Sequence, residues 1–184
     1  LLSEARRAIY VSSTRVYAER SGGWVNEDSP LAAGDPFVDA LLAGEACFRR
    51  HAYTTVVRPS GLYDGGNPVM LRPILEGLSS RINSGFTNRI HRDDAANVIV
   101  ELIKRDFHGE RLPATLNLND NSPVTTGELE AWCFRELGRE PEGQRDNQPR
   151  ANRRVSNAKP LAMGFSLKYP SYREGYKEAV SEAL

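Results

Sequence analysis

The amino-acid sequence predicts an α/β domain with a doubly wound parallel sheet. Short apolar or β-branched segments alternate with longer segments of helical periodicity along the 184-residue chain. The order strand, helix, strand, helix, strand is typical of a parallel sheet with helices on both faces. Polar residues follow two of the strands, at 12–14 and 58–63. Ligands of such sheets bind at the carboxyl ends of the strands, so we expect a binding crevice where these two segments meet.

The first half of the chain is predicted to hold one long helix between two short strands. The helix has apolar residues at helical spacing, among them Phe37, Leu41 and Cys47. Gly, Asp, Ser and Pro dominate the loop before it. The predicted elements are the end of a helix at 1–7, a buried strand at 8–12, a loop at 18–35, a helix at 37–51 and a strand at 53–57 that ends at Arg58 and Pro59.

In the second half, two helices carry characteristic N-terminal residues. Asp93 and Asp94 stand at the positive N-terminal end of one helix. Thr125 or Thr126 is placed to cap another, which Gly138 stops. The predicted elements are a helix at 68–79, a helix at 93–104, a strand at 114–118, a helix from the threonine pair to Leu137, and a surface loop or disordered stretch at 139–154.

The composition of the chain limits which binding partners and which cellular locations we expect for the protein. Lys plus Arg and Asp plus Glu balance at 24 each, so no overall field attracts nucleic acid or an anionic membrane. No apolar run approaches the roughly 18 residues of a membrane span. Two cysteines do not make a disulfide framework, and His51 and His108 have no nearby Cys or carboxylate arranged as a metal site. We expect a cytoplasmic protein with a small-molecule substrate, no nucleic-acid or membrane partner and no metal.

Three hydroxyl side chains end the first predicted strand: Ser12, Ser13 and Thr14. At the carboxyl end of a strand, such hydroxyls line a crevice and contact its ligand. Serine and threonine also satisfy free backbone groups where a strand ends. The residues themselves leave both interpretations open.

Five segments of the chain form an ordered set of motifs. They are YVSSTRVYAERSGGWVNEDSPL, VVRPSGLYDGG, NRIHRDDAANVIV, LNLNDNSPVTTGELEAWCFRELG and SNAKPLAMGFSLKYPSYREGYKEAV. In this order they resemble the NAD-dependent epimerase/dehydratase family of the extended short-chain dehydrogenase/reductase superfamily. Each motif alone is weak, whereas five in register over nearly the whole chain are specific. The RIH and YPSYREGY segments look closest to an atypical subgroup described as nucleoside-diphosphate-sugar epimerases.

The resemblance implies a Rossmann-like fold that binds NAD or NADP and acts on a sugar nucleotide or a similar small polar substrate. It implies a partial NAD(P)-binding domain over 1–184 that starts just before the fifth of seven strands. Its substrate-binding region would comprise about 62–91 and 120–184. The family's Gly-rich turn for the dinucleotide pyrophosphate has no counterpart in the sequence. We therefore expect a homodimer or a preceding N-terminal segment.

Site residues follow from the resemblance position by position. A Ser or Thr at the first strand end positions the substrate oxygen in the family, and this catalytic position is Ser13 here. The cofactor-binding positions are Ser12, Arg58, Pro59 and Ser60, and the substrate-binding positions are Thr14, Tyr63, His91 and Arg154.

The helix after the first strand departs from the family pattern. In the family, a Tyr transfers the proton and a Lys four residues later lowers the pKa of the Tyr and holds the nicotinamide ribose. The alignment puts Phe37 and Leu41 at these positions, and neither residue titrates. We expect an atypical NAD(P)-dependent epimerase, dehydratase or reductase. The alternative is a non-catalytic, nucleotide-sensing or scaffold relative.

Several polar residues near the expected crevice have a structural interpretation as well. We expect Tyr17 to pack beneath the crevice and His91 to brace the substrate region rather than transfer protons. Tyr63 is expected to face either the substrate or the core. Arg153, Arg154 and Lys159 form a basic patch in the sequence. Related enzymes bind the diphosphate of a sugar nucleotide in this region. A solvated surface loop also accounts for the three charges, and we favour that interpretation.

Overall fold

A computed structural model describes residues 7–51, 53–64, 71–82, 84–147 and 152–181 of the chain. Its strands are β1 (Arg7–Val11), β2 (Trp24–Val25), β3 (Tyr53–Pro59), β4 (Gly61–Tyr63), β5 (Leu78–Ser80), β6 (Phe86–Thr87), β7 (Arg89–His91), β8 (Thr115–Leu118), β9 (Val124–Thr125), β10 (Gly143–Arg145) and β11 (Arg154–Val155). Its helices are α1 (Pro36–His51), α2 (Arg72–Leu75), α3 (Arg92–Phe107), α4 (Thr126–Glu136), α5 (Ala158–Ala162) and α6 (Tyr172–Ser181), with a 3₁₀ turn over Thr14–Val16.

The central sheet is parallel and has β3 in the middle, in the order β1-β3-β8. Ala8 pairs with Thr54 and Val56 pairs with Thr115, which brings the carboxyl ends of the three strands to one edge. The sequence of β3 is β-branched, and it is buried from Thr55 onward. Such residues suit a strand that is covered on both faces. The predicted α/β class with a parallel sheet is confirmed.

Helix α3 packs its apolar side against this sheet. Because apolar residues recur every three or four positions, Val98 and Leu102 fall on one face of α3 and are buried. Full burial of a side chain such as Leu102 stabilises the fold by about 1.5–3 kcal/mol. The cluster joins residues of α3, β3, β7 and β8 with Phe165, and it consists of Val57, Ile90, Ala95, Val98, Leu102, Leu116, Leu118 and Phe165.

A second hydrophobic cluster joins α2, α4 and α6, and Tyr63 at the end of β4 belongs to it. Within it, Trp132 and Tyr172 meet edge to face at 5.3 Å between ring centroids. Four two-stranded pairs surround the two clusters: β4 with β7, β5 with β10, β2 with β11 and β6 with β9. None of the helices within the described ranges is long and apolar enough to cross a bilayer.

The predicted strands at 8–12, 53–57 and 114–118 and the predicted helices at 37–51 and 93–104 are confirmed as β1, β3, β8, α1 and α3. The helix that begins near the threonine pair is confirmed as α4. Thr125 is its N-cap and forms a capping box with Glu128, which satisfies two free backbone N–H groups. The predicted helix end at 1–7 lies outside the described residues, except for Arg7, which begins β1.

The predicted helix at 68–79 is wrong in its second half. Only Arg72–Leu75 is helical, and residues 68–70 lie outside the described residues. Gly77 has a φ of +79°, a conformation that favours glycine and turns the chain. Leu78–Ser80 then forms β5, whose partner is Gly143–Arg145. A strand partner more than 60 residues away overrides the local helical pattern.

The surface loop or disordered stretch predicted at 139–154 is also partly wrong. It contains β10, and its last residue begins β11, which pairs with Trp24–Val25. The polar sequence does not predict these strands, because each is only two or three residues long and depends on a distant partner for its hydrogen bonds. Residues 148–151 of this stretch lie outside the described residues.

Candidate functional site

Two polar segments meet at the carboxyl ends of β1 and β3. The backbone N–H of Ser12 donates to Val57 O at 2.7 Å, which extends the β1–β3 ladder. Thr14 Oγ1 lies 3.3 Å from Ser60 Oγ and 3.4 Å from Pro59 O. We call this edge the strand-end crevice. It comprises Ser12, Ser13, Thr14, Pro59 and Ser60, so the structure brings together five of the predicted site residues.

A buried acid–base pair lies directly beneath the strand-end crevice. Arg58 donates to Glu45 twice, from Nε to Oε1 at 3.0 Å and from Nη2 to Oε2 at 2.7 Å. Ser12 Oγ also donates to Glu45 Oε1, at 2.7 Å. Burial by itself raises the pKa of the Glu45 carboxyl, but the hydrogen bonds from Arg58 and Ser12 outweigh it and hold the pKa below its ordinary value. The carboxylate is therefore ionised, and both of its oxygens accept hydrogen bonds from Arg58 or Ser12.

Tyr17 extends this pair towards β8. Its side chain is fully buried, and its hydroxyl donates to Asn117 Oδ1 at 2.6 Å and accepts from Arg58 Nη1 at 3.1 Å. Burial raises the pKa of Tyr17, so its hydroxyl is a weak acid. The predicted packing of Tyr17 beneath the crevice is confirmed. We call Ser12, Tyr17, Glu45, Arg58 and Asn117 the buried network.

Sequence reasoning missed Glu45 and Asn117. A signal existed for Glu45, because it stands seven residues after the buried Val38 and so falls on the buried face of α1. An acidic residue at such a position needs a cationic partner in the interior. No comparable signal marks Asn117, whose neighbours in the sequence form an ordinary strand.

Ser13 is the half-buried hydroxyl of the strand-end crevice. Its Oγ accepts from the backbone N–H of Arg15 at 3.1 Å, and this bond caps the 3₁₀ turn. Ser12 and Thr14, in contrast, direct their hydroxyls to partners inside the protein. The hydroxyl proton of Ser13 has no acceptor among the described residues, so it is available to a ligand at the crevice.

An arginine covers the phenylalanine that the alignment places at the family's tyrosine position. Phe37 is 56% exposed, and the Arg15 guanidinium carbon lies 4.4 Å from its ring centroid. Arg15 Nη2 donates to Asp35 Oδ2 at 3.2 Å, while Asp35 Oδ1 accepts from the Phe37 N–H and caps α1. The hydrogen bond from Arg15 holds the pKa of Asp35 below its usual range. We call Arg15, Asp35 and Phe37 the exposed rim. Leu41 lies one turn further along α1.

Tyr63 and His91 pack against each other rather than at the crevice surface. Their rings meet edge to face at 5.3 Å, and Tyr63 contacts Tyr176 at 4.5 Å. His91 Nδ1 accepts from the Asp93 N–H at 3.2 Å and caps α3, which is a structural role. A contact of Tyr63 or His91 with substrate stays a prediction. Of the two orientations expected for Tyr63, the structure has the one towards the core. Burial raises the pKa of Tyr63 far above its usual range.

Arg154, predicted to bind substrate, is half-buried. Its Nε donates to Gly22 O at 2.9 Å, and its guanidinium lies over the rings of Phe86 and Trp24 at 4.8 Å and 5.3 Å. This side chain therefore joins the 18–35 loop to the C-terminal part of the chain. Its contact with substrate stays a prediction.

Arg153 does not belong to a solvated loop, so that interpretation of the basic patch is wrong for this residue. It is 1% exposed, and its Nη1 donates to Thr14 O at 2.9 Å and to Tyr17 O at 2.7 Å. These carbonyls lie in the 3₁₀ turn and at its C-cap, and each accepts a further hydrogen bond, Thr14 O from the Tyr17 N–H and Tyr17 O from Arg20 Nη1. Burial lowers the pKa of Arg153 to about 10. Arg153 thus fixes the turn that carries Ser13.

A nicotinamide dinucleotide is the cofactor that the resemblance implies, and the crevice residues fit its nicotinamide end. Ser13 offers an unused hydroxyl donor, and Pro59 and Ser60 bring backbone and a hydroxyl to the same edge. The side chains of Ser12 and Arg58 are engaged by Glu45, so any contact from them to a cofactor would use their backbone atoms. No group of three or more potential metal ligands occurs in the part of the chain that the structure describes.

Comparisons with known proteins bear on the fold and the family. Neither a family model nor a curated protein matches the chain, but solved structures do. A Methylobacillus flagellatus protein, provisionally named an NAD-dependent epimerase/dehydratase, is 30% identical with a TM-score of 0.79, over 96% of this chain and 64% of its own. The human epimerase family protein SDR39U1, solved with NADPH, is 22% identical with a TM-score of 0.80, over 97% and 66%. Thermus thermophilus UDP-glucose 4-epimerase, solved with NAD, is 18% identical with a TM-score of 0.78, over 97% and 64%.

The chain spans about two thirds of the length of these structures. They confirm the resemblance to the NAD-dependent epimerase/dehydratase family that the sequence motifs predict. They also include complexes with NAD and with NADPH, so nicotinamide dinucleotides are cofactors of proteins with this fold.

Proposed function

From the confirmed resemblance to the NAD-dependent epimerase/dehydratase family, we propose that the chain is the substrate-binding part of an atypical NAD(P)-dependent oxidoreductase of the epimerase, dehydratase or reductase kind. Its substrate is a sugar nucleotide or a similar small polar molecule. The free hydroxyl of Ser13, held at the carboxyl end of β1 by the cap to Arg15, carries this proposal. Because this hydroxyl has no acceptor among the described residues, it can donate a hydrogen bond to a substrate oxygen at the strand end.

The chain's own residues orient the substrate in this proposal. Ser13 donates its hydroxyl proton to the reacting oxygen, while Arg153 and the buried network hold the turn on which Ser13 stands. Pro59 and Ser60 would border the nicotinamide, which would supply a hydride acceptor and donor when bound. Because Phe37 and Leu41 do not titrate, the proton that the substrate hydroxyl loses on oxidation would pass to solvent water, and solvent would return it on reduction.

A second candidate function is ligand binding without catalysis. The observation in its favour is the composition of the exposed rim, where Phe37 lies under Arg15 and no tyrosine or lysine of α1 reaches the crevice. A nucleotide-sensing or scaffold relative would keep the crevice and lose the chemistry. Binding then occurs with no transfer of hydride.

Isotope transfer distinguishes the two candidates. Sugar nucleotides deuterated at the oxidisable ring carbons are incubated with NAD or NADP and the protein as its gene encodes it, and mass spectrometry follows deuterium into the nicotinamide. We expect transfer, and we expect Ser13→Ala to slow it by about 10²-fold or more. Ser166→Ala is the matched control, because this exposed serine makes no hydrogen bond within the described residues. Binding without transfer supports the second candidate, and absence of binding by every probe rejects both.

The remaining expectations concern assembly and surroundings. We propose a cytoplasmic protein that binds a small molecule and has no nucleic-acid or membrane partner, as the balanced charge suggests. The expected homodimer, or the alternative of a preceding N-terminal segment, stays a prediction, and sedimentation of the protein tests the dimer.

A further inference from the structure

The guanidinium of Arg15 is held in one orientation beside the strand-end crevice. Its carbon lies 4.4 Å from the Phe37 ring centroid, and Nη2 is hydrogen-bonded to Asp35 at 3.2 Å. The stacked ring and the carboxylate together restrict the plane of a side chain that otherwise moves freely on a protein surface. A planar fork held in this way loses less entropy when it binds a ligand.

Most of the hydrogen-bonding capacity of Arg15 is unused. Nε and Nη1 have no acceptor among the described residues, and the side chain is 40% exposed. Asp35 does not neutralise the site completely, because its carboxylate also caps α1 through the N–H groups of Phe37 and Val38. The positive end of the α1 dipole adds to the potential at this place. The exposed rim therefore presents unused cationic donors to solvent.

These donors lie next to the hydroxyl that the proposed function assigns to the substrate oxygen. Arg15 follows Ser13 by two residues, and the bond from the Arg15 N–H to Ser13 Oγ at 3.1 Å fixes the distance between the two positions. A ligand that accepts from Ser13 thus has a neighbouring group within reach of Arg15. Phe37 supplies an apolar surface beneath the guanidinium and excludes water from one face of it.

We propose that Arg15 recognises an anionic group, a carboxylate or a phosphate, on the same substrate whose hydroxyl lies at Ser13. The N–H groups of Arg15 that Asp35 leaves unused are charge-assisted donors for the oxygens of either group. The inference rests on the proposed function and adds to it a substrate class. Arg15 is a specificity-determining residue in this assignment.

Paired probes test the assignment. Uridine diphosphate glucose and its glucuronate differ in one carboxylate, and glucose and glucose 6-phosphate differ in one phosphate. Dissociation constants are measured by isothermal titration with NAD or NADP present. We expect the wild-type protein to bind the charged member of one pair at least about tenfold more tightly, the size of effect that a charge-assisted pair produces. The pair that shows the preference identifies the source of the anion.

Variants connect the preference to Arg15. Arg15→Gln should abolish it, and Arg15→Lys should retain only part, because lysine keeps the charge and lacks the fork. Arg111→Gln is the matched control, since Arg111 is exposed and has no hydrogen bond or ion pair within the described residues.

The outcomes separate the inference from the proposed function. Equal binding of both members of each pair by the wild-type protein overturns the inference. Equal losses of affinity for both members in Arg15→Gln overturn it as well. Deuterium transfer at equal efficiency from charged and neutral probes also overturns it and leaves the proposed function intact. Arg15-dependent binding of an anion with no transfer supports the inference and rejects the proposed catalysis.

Discussion

The buried network and the exposed rim combine the same three chemical groups, a carboxylate, a guanidinium and an aromatic ring. The groups are Glu45, Arg58 and Tyr17 in the network, and Asp35, Arg15 and Phe37 in the rim. In both, the guanidinium carbon lies close to a ring centroid, at 5.1 Å in the network and 4.4 Å in the rim. The two sets differ in their surroundings. The Arg58 side chain is 4% exposed, and the Arg15 side chain is 40% exposed.

Burial decides what the same three groups do. Arg58 uses Nε, Nη1 and Nη2 in hydrogen bonds to protein, because an unpaired donor in the interior loses its water without compensation. Arg15 uses one nitrogen and leaves the others to water, which a ligand can replace. The network is therefore a support for the strand-end crevice, and the rim is an exposed surface to which we assign the proposed recognition.

Loss of the buried carboxylate should have the largest effect. Glu45→Gln keeps the shape of the side chain but leaves the Arg58 charge unpaired in the interior. We expect the free energy of unfolding to fall by about 3–5 kcal/mol, measured by urea denaturation. Asp35→Asn removes the equivalent carboxylate of the rim and should change stability much less. Similar losses in the two variants would contradict the distinction between support and surface.

Removal of the Tyr17 hydroxyl should have an intermediate effect. Tyr17→Phe leaves Arg58 Nη1 and Asn117 Oδ1 without their partner, although the ring still fills its place. We expect a loss of about 1–3 kcal/mol in the same denaturation experiment. Tyr53→Phe is the control, because Tyr53 is 87% exposed and has no hydrogen-bond partner for its hydroxyl within the described residues. A Tyr17→Phe protein as stable as this control would show that the network is not a cooperative unit.

Acid should weaken the buried network through Glu45. The pKa of its carboxyl is lower in the folded than in the unfolded state, whose value is about 4.5. The stabilisation is thus complete above the unfolded pKa and is lost as the pH falls through the folded pKa. Between the two values Glu45 contributes a slope of about 1.4 kcal/mol per pH unit. Denaturation between pH 3 and pH 7 should show Glu45→Gln with a shallower acid slope than wild type, and parallel slopes would remove Glu45 from this role.

Disruption of the exposed rim should have the smallest effect on stability. Arg15→Met removes the cation over Phe37 and the bond to Asp35, both at the surface. We expect a change of about 0.5–1 kcal/mol, because water solvates the groups left behind. Added salt should reduce this difference further. A loss as large as that of Glu45→Gln would mean that the rim supports the fold, and the recognition role of Arg15 would then lack its basis.

Local patterns in the sequence were enough to predict the central sheet, two of its helices and the strand ends that form the crevice. Apolar periodicity marks α1 and α3, β-branched residues mark β3, and hydroxyl residues mark the end of β1. These signals are local, since each depends on which face of one element is buried. The ordered motifs added the family. The sequence alone therefore identified Ser13 as a candidate site residue and showed that Phe37 and Leu41 replace the tyrosine and lysine of the family pattern.

The pairing of polar groups could not be predicted in this way, because it depends on the three-dimensional fold. Tyr17 and Asn117 are 100 residues apart in the chain, and Arg153 binds the carbonyl of Thr14 from 139 residues away. Leu78–Ser80 is a strand for the same reason, because it pairs with the distant segment Gly143–Arg145, although its local pattern favoured a helix. Polar side chains lack the periodicity of apolar ones, and their energy depends on one partner at hydrogen-bond distance in a dry interior. That partner is fixed by the packing of the whole domain, so Arg58 and Arg15 are alike in the sequence and differ in the fold.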